Sequence, residues 1–389
     1  MDIVIIGGGV IGTSLAYWLA DKSKLAVTLL EANANFAQNG TASFASAGLL
    51  TPAAAIGTNP AITRLIKRGF DLYPELAARL KKDHPELAGS GYFELDQLRV
   101  ATTEAEAAEL SERQHWYVEA GLATDARWLS PREVAEVEPL TGPNFGAIHH
   151  KGGLLRPPWL TRTLARAAAA KGVTIKAGNP VASLITGNGK VTGIRLQDGE
   201  IIQSEKVVLA AGAWSGVWLE QQLERLNITT PGLKWSQKVK PVRGQLLAVL
   251  PPPGTPPLRH ILAGAGGYGY PRADGSIAFG ATEEHEAGFE VAITPDGYSK
   301  LFSLMQSLAP SLLQAPVSEN WSGLRPGSRD GLPLMGELPQ LPGLWLATGH
   351  FRSGIVMAPS SAELLSEALI SGSEESKARL KAYNDATQV

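Results

Sequence analysis

Hydrophobic positions near the N-terminus change period twice within about thirty residues. The β-branched run Ile3-Val4-Ile5-Ile6, bounded by glycines, reads as a strand. Val10, Ile11, Leu15, Trp18 and Leu19 then recur at helical spacing, and Ala26-Val27-Thr28-Leu29-Leu30 returns to a strand ending at Glu31. This strand–helix–strand order predicts a parallel α/β sheet. Residues 34–60 are rich in Ala, Ser, Asn, Thr and Gly with little periodicity, which predicts a long ordered loop lying over something functional.

From Leu65 to Val137 the pattern is mostly helical, with a strand-like interruption at Gln97–Ala101. Pro157 and Pro158 suit the first turn of a helix running through Leu164 and Ala167–Ala170, with Gly172 as its stop before a strand at Val173–Ile175. A small meander is expected at Val181–Leu184, Val191–Leu196 and Glu200–Ser204, turning at Gly187-Asn188-Gly189 and Asp198-Gly199. Val207–Ala211 reads as a buried parallel-type strand closing on Gly212.

Residues 220–320 change character. Strands are expected around Gln245–Val249 and Ser276–Gly280, with a Pro-rich loop at Pro251–Pro257 and a helix over Gly297–Leu308. The last section returns to a strand at Leu344–Thr348, a loop at Gly349–Gly354 and a helix from about Pro359 to Ile370. The polar tail beyond Ser371 is expected to fray. No internal repeat of about 20 to 50 residues is visible.

Composition narrows the functional classes. At roughly 150 residues per domain, 389 residues predict two to three domains or one composite architecture. With 35 Lys+Arg against 37 Asp+Glu there is no basic field for a nucleic-acid partner. The 44% hydrophobic content disfavours disorder. Zero cysteines remove disulfides, thiolate metal sites, Cys nucleophiles and any cysteinyl cofactor linkage, which fits a reducing, cytoplasmic setting. The uncharged stretch Ile3–Ala20 contains four glycines, has no basic region before it and falls short of the ~20 residues a membrane helix needs, so no membrane span is expected. The seven histidines form no ligand-like i, i+4 pair, and no metal is expected.

Gly7-Gly8-Gly9-Val10-Ile11-Gly12 matches the dinucleotide fingerprint: Gly7 serves the tight turn, Gly9 the pyrophosphate approach and Gly12 helix packing. It follows a strand, opens a helix and has Glu31 placed 19 residues after Gly12 to accept from ribose hydroxyls. A carboxylate there opposes a 2′-phosphate, leaving FAD or NAD. The segment Thr348–Gly354 separates these two, because it leads from a buried strand into a helix N-terminus. The partial positive charge there suits the N1–C2=O edge of a reduced, anionic flavin, a need that nicotinamide does not share.

Further blocks span most of the chain: Ser43–Leu49, Ala210–Ser215, Gly269–Arg272 with Gly280-Ala281-Thr282, Gly323–Gly327 and Gly349–Gly354. On these residues the sequence resembles the D-amino-acid oxidase superfamily of FAD enzymes, and within it the glycine oxidases. The last two blocks carry most weight, since their order and the 27-residue separation of Arg325 and Arg352 follow the glycine oxidase pattern. The resemblance implies non-covalent FAD with Val10 and Ile11 at the pyrophosphate turn, Glu31 and Ala32 at the adenosine, and Val181 near the adenine. It implies that Ala42, Ser43, Ala47, Gly48 and Leu49 cover the flavin, and that His350, Phe351, Arg352, Ser353, Gly354, Ile355 and Val356 wrap the isoalloxazine edge, with Gly212 also at the cofactor. Arg325 and Arg352 then face the substrate, and Tyr268 aligns with a phenol that hydrogen-bonds its carboxylate. The sequence departs from that pattern in three places: a longer loop after Glu31, Gly266 where a mobile His is carried, and Glu283 where an apolar residue is expected.

Elementary chemistry points the same way. A guanidinium is a planar two-pronged donor that orients a carboxylate as well as holding it, and Arg325 is the candidate clamp. Its alternative is a surface pair with Asp330. Arg352 either contacts substrate or holds the loop and the anionic flavin. Tyr268 either meets substrate or is a strand aromatic. His350 is expected to pack beside the flavin rather than act as a base, because no nucleophile or general-base constellation is visible or required.

The expected fold is therefore α/β. A discontinuous Rossmann-like FAD domain (1–80, 150–219 and 321–389) combines a parallel sheet with the small meander, and a second mixed β-sheet domain (81–149 and 220–320) binds substrate. The expected activity is oxidative deamination of a small amino acid, glycine first and sarcosine or small D-amino acids next, with O2 reduced to H2O2. The alternatives are a D-amino-acid dehydrogenase passing electrons to a quinone or protein, and a non-catalytic FAD-binding subunit. A homo-oligomer is compatible with the sequence.

Overall fold

The computed structural model describes residues 2–52, 59–85, 90–229, 234–328 and 331–384. The strand Asp2–Ile6 lies in a six-stranded sheet between Ala26–Glu31 and Lys206–Leu209, paired with both in parallel. Thr174–Ala177 extends the sheet on one side; Leu344–Thr348, in parallel, and Leu334–Glu337, antiparallel, extend it on the other. One face is covered by the helices Val10–Lys22, Pro60–Asp83, Pro157–Ala170 and Gly354–Ser371, which bury Ile3, Ile5, Leu15, Leu65, Leu164 and Leu365 in one core. The other face packs Val4, Val207 and Leu344 against the three-stranded meander Val181–Gly187, Lys190–Leu196 and Ile201–Gln203. Its first turn has Asn188 at φ 53° and Gly189 at φ 74°, the left-handed pair that a two-residue hairpin requires.

A second, nine-stranded mixed sheet is built around two long antiparallel strands, Val239–Val249 and Val317–Ser328, paired along almost their whole length. The second of these crosses the expected boundary at 320/321 as one unbroken element of this sheet. Gly40–Thr41 flanks Val317–Ser328 at one edge; on the other side Ile277–Gly280, Gly267–Pro271 and Ile261–Gly264 follow, then Gln97–Val100 and the unanticipated Ala147–His150 and Arg127–Leu129. The helix Pro295–Leu308 covers one face through Leu301, Leu304, Met305 and Leu308.

Two expectations for the C-terminal section need correction. The last long helix begins at Gly354, so Pro359 lies inside it. Proline cannot donate to the carbonyl four residues back. Here that carbonyl, of Ile355, accepts instead from the buried Tyr73 hydroxyl at 2.5 Å. The chain beyond Ser371 also does not fray at once. It forms a helix over Glu374–Asn384 that buries Leu380 and Tyr383, and the Tyr383 hydroxyl donates to Ala61 O at 2.8 Å. Among the described residues no helix is long and apolar enough to cross a membrane, and no group of three His, Cys, Asp or Glu is arranged to hold a metal ion.

Candidate active site

Both sheets contribute to one cavity of about 450 Å³. At one end lies the turn after the first strand. Gly7 has φ +112°, and a side chain on it would meet Ala210 O at 2.4 Å. Gly12 lets the helix Val10–Lys22 sit against Gly7 O, which lies 1.9 Å from where a Cβ would stand. Glu31 is held in place, with Oε2 accepting from Gly8 N at 2.8 Å and Oε1 from Asn33 N and Nδ2 at 3.0 and 2.9 Å. Oε2 keeps a lone pair for a further donor, whereas both acceptor sites of Oε1 are taken by Asn33.

The loop after Glu31 does lie over this turn. Within it Thr41 caps the short helix Ala42–Ala45, and Ser43 Oγ accepts from Val10 N at 2.9 Å. Thr41, Ala42, Ser43, Ala45 and Ser46 line the cavity. Ala47, Gly48 and Leu49 fall outside the lining, because the chain there turns away to pair Leu49–Leu50 with Gly153–Leu154. Residues 53–58 of the expected loop lie outside the described residues.

The far wall comes from the turn after Leu344–Thr348. His350, Phe351, Arg352, Gly354 and Ile355 line it; Ser353 and Val356 do not, Val356 being buried with its carbonyl against Gly69. His350 is 2% exposed. Its Nε2 shares a hydrogen bond with Ser361 Oγ at 3.0 Å, whereas Nδ1 has no partner among the described residues. Burial pushes its pKa down from 6.5 to about 3, so the ring is neutral at physiological pH.

That depression has a signed consequence. The unfolded chain takes up a proton at this imidazole near pH 6.5 and the folded one only near pH 3, so the stabilising contribution is complete above pH 6.5 and is lost as the pH falls towards 3. Replacing His350 by glutamine is expected to flatten the acid limb of stability by up to about 1.4 kcal/mol per pH unit. Thermal melts between pH 7 and pH 4 check this; identical acid limbs in both proteins would count against it.

Arg325, Tyr268 and Arg352 all reach the same cavity. Arg325, on the strand Val317–Ser328, lays its guanidinium over Gly244, where a Cβ would meet Nη1 at 2.4 Å. Nη1 donates to Thr282 O at 3.0 Å. No carboxylate of the described residues lies within ion-pairing distance of Arg325; Asp330 lies outside those residues. The Tyr268 phenol sits beside this guanidinium. Burial raises its pKa despite the opposing charge and hydrogen bond of Arg325, so it remains a protonated donor. Arg352 is exposed and ion-paired with Glu283, which also accepts from His285 Nε2 at 2.8 Å.

Gly244, Leu246, Thr282 and Trp214 belong to this neighbourhood and were not among the expected site residues. Trp214 and Thr282 fall in the blocks that carry the resemblance, and Gly244 is a glycine inside a strand, where close approach by another group is the usual reason.

Residues 2–368 match the family model for FAD dependent oxidoreductases. The chain belongs to this family. A glycine oxidase of Pseudomonas putida is 33% identical over 382 residues, covering 96% of this chain and 95% of the relative. Among solved structures, glycine oxidase from Bacillus cereus aligns with a TM-score of 0.83 at 30% identity over 96% of each chain. Iminodiacetate oxidase from Chelativorans sp. aligns at 0.82 with 26% identity over 95% of each.

The chain has no cysteine through which a flavin could be held covalently. The cavity fits that cofactor. Glycines clear the turn after the first strand, a fixed carboxylate stands at the end of the second strand, and at the opposite end a helix N-terminus adjoins a buried imidazole nitrogen that has no partner among the described residues.

Proposed function

We propose that the protein oxidises the amine of a small α-amino acid, glycine first and sarcosine or small D-amino acids next. The product is an imine that hydrolyses to the 2-oxo acid and ammonia, or methylamine in the case of sarcosine, with O2 reduced to H2O2. The single observation that supports this most is the pairing of Arg325 with Tyr268 in a cavity continuous with the dinucleotide turn. The glycine oxidases of similar sequence and fold support the same substrate class.

On this reading Gly7, Gly9, Val10 and Ile11 would hold the FAD pyrophosphate, Glu31, Ala32 and Val181 the adenosine, and Ala42, Ser43, His350, Phe351, Arg352, Gly354 and Ile355 the ring. Bound FAD supplies the two-electron acceptor. The part of the molecule built on the six-stranded sheet holds the cofactor, and the nine-stranded sheet contributes Arg325 and Tyr268. Arg325 receives the substrate carboxylate with two parallel donors, and the Tyr268 hydroxyl donates to the same group. Together they fix the direction of the Cα–H bond, so that orientation carries much of the barrier reduction. His350, neutral and engaged through Nε2, packs the ring and takes no proton. The absence of cysteine supports placement in a reducing, cytoplasmic compartment.

Anaerobic mixing of the holoenzyme with glycine, sarcosine and D-alanine tests the reading. Bleaching of the flavin absorbance by at least one of them, reversed by air with formation of H2O2, is expected. A flavin that stays oxidised with all three rules the proposal out; reoxidation by an artificial acceptor but not by air points to a dehydrogenase.

A further inference from the structure

Glu283 stands where the sequence pattern predicts an apolar residue, and it reaches the cavity through its ion pair with the lining residue Arg352. One oxygen, Oε2, takes Nε and Nη2 of Arg352; the other, Oε1, takes Nε2 of His285. The residue before it, Thr282, supplies the carbonyl to which Arg325 donates. The Glu283 carboxylate is therefore bound directly to one of the two guanidinium groups that line the cavity, Arg352, and follows in sequence the residue that holds the other, Arg325.

Its position is set by its neighbours. Thr282 N donates to Gln245 O at 3.2 Å and Gln245 N to Thr282 Oγ1 at 2.9 Å. Glu284 is tied to Arg243 by reciprocal backbone hydrogen bonds at 3.0 and 3.1 Å and by a buried ion pair at 2.7 Å. Flanked by two residues anchored to the strand Val239–Val249, Glu283 has little freedom to leave. Burial alone would raise its pKa, but the hydrogen bonds from Arg352 and His285 and the charges of Arg352 and Arg325 hold it below the ordinary carboxylate range. It is an anion at neutral pH.

We propose that Glu283 is a specificity-determining residue: by occupying Arg352 it leaves one cation, Arg325, for the substrate, so that amino acids with one carboxylate are accepted and those with a second are rejected. This rests on the amino-acid reading above. A second carboxylate entering the cavity finds Arg352 already neutralised and meets Glu283 as a like charge, the repulsive element that selectivity commonly needs. Without Glu283 the same cavity presents two unpaired guanidiniums, an arrangement suited to a dicarboxylate.

The test compares glycine with iminodiacetate and D-aspartate in the unaltered holoenzyme and in Glu283→Gln. The ratio of kcat/KM for a dicarboxylate to that for glycine is expected to rise about tenfold or more in the variant, the effect of roughly one lost charge contact. An unchanged or lower ratio overturns the proposal. A second measurement needs no variant: acetate is expected to perturb the flavin spectrum of the unaltered holoenzyme at concentrations about tenfold or more below malonate. Malonate binding as tightly as acetate overturns the proposal even if Glu283→Gln loses its cofactor. Failure of the amino-acid reading looks different: glycine then leaves the flavin oxidised, while the acetate–malonate comparison still reports charge selectivity.

Discussion

Replacing Arg325 by alanine is expected to lower kcat/KM for glycine by about two to three orders of magnitude while FAD stays bound. The guanidinium is the cavity cation with no ion-pair partner among the described residues, and it is aimed by Thr282 O and the open space over Gly244. Its removal leaves the substrate carboxylate without its two-pronged donor. The turn at Gly7–Gly12 and the carboxylate of Glu31 lie on the other sheet and are untouched. Lysine keeps the charge but not the fork, so Arg325→Lys is expected to recover only part of the loss. Steady-state kinetics and the ratio of flavin to protein absorbance check both halves; turnover near that of the unaltered enzyme would remove Arg325 from the role given to it.

The second large effect concerns the cofactor turn. At Gly12 a methyl group would stand 1.9 Å from Gly7 O and 3.2 Å from Gly7 C. Both obstacles are backbone, so no side-chain rotation relieves them, and the helix Val10–Lys22 has to move off the strand before it. Overpacking of this kind costs about 1–3 kcal/mol or more. Here it also displaces the amide groups expected to meet the pyrophosphate. Gly12→Ala is expected to weaken FAD binding by about tenfold to a hundredfold and lower the apparent melting temperature. Gly187→Ala, whose Cβ would lie at an ordinary 3.4 Å from Thr192, serves as the tolerated control. Fluorescence titration of the apoprotein with FAD separates the two; equal affinity would show that Gly12 does not control the turn.

The parts legible in the sequence are those whose physics is local. The change of period from Ile3–Ile6 to Val10–Leu19, with glycines at the junction, announces both the strand–helix unit and its ligand. Glu31 is readable because it ends the next strand. What escaped depends on partners far along the chain. Pro359 argued for a helix start, and only the Tyr73 hydroxyl, 282 residues away from its acceptor at Ile355, makes its place inside the helix tolerable. Tyr383 looked like part of a polar tail until Ala61 O provided its acceptor. Arg352 is readable as a site residue, but its neutralisation by Glu283 joins two loops 69 positions apart, one after the strand Ile277–Gly280 and one after Leu344–Thr348, and no periodicity records that.

The order in which strands enter the six-stranded sheet has a consequence for synthesis on the ribosome. Asp2–Ile6 is made some two hundred residues before its neighbour Lys206–Leu209, and Leu344–Thr348, which leads into His350, emerges later still. A nascent chain thus carries an unfinished apolar sheet through most of its translation, exposed to misassociation until the final section arrives. On the proposed placement of the cofactor its capture is expected to be a late event, and chains that stop before Leu344–Thr348 are expected to aggregate or be degraded.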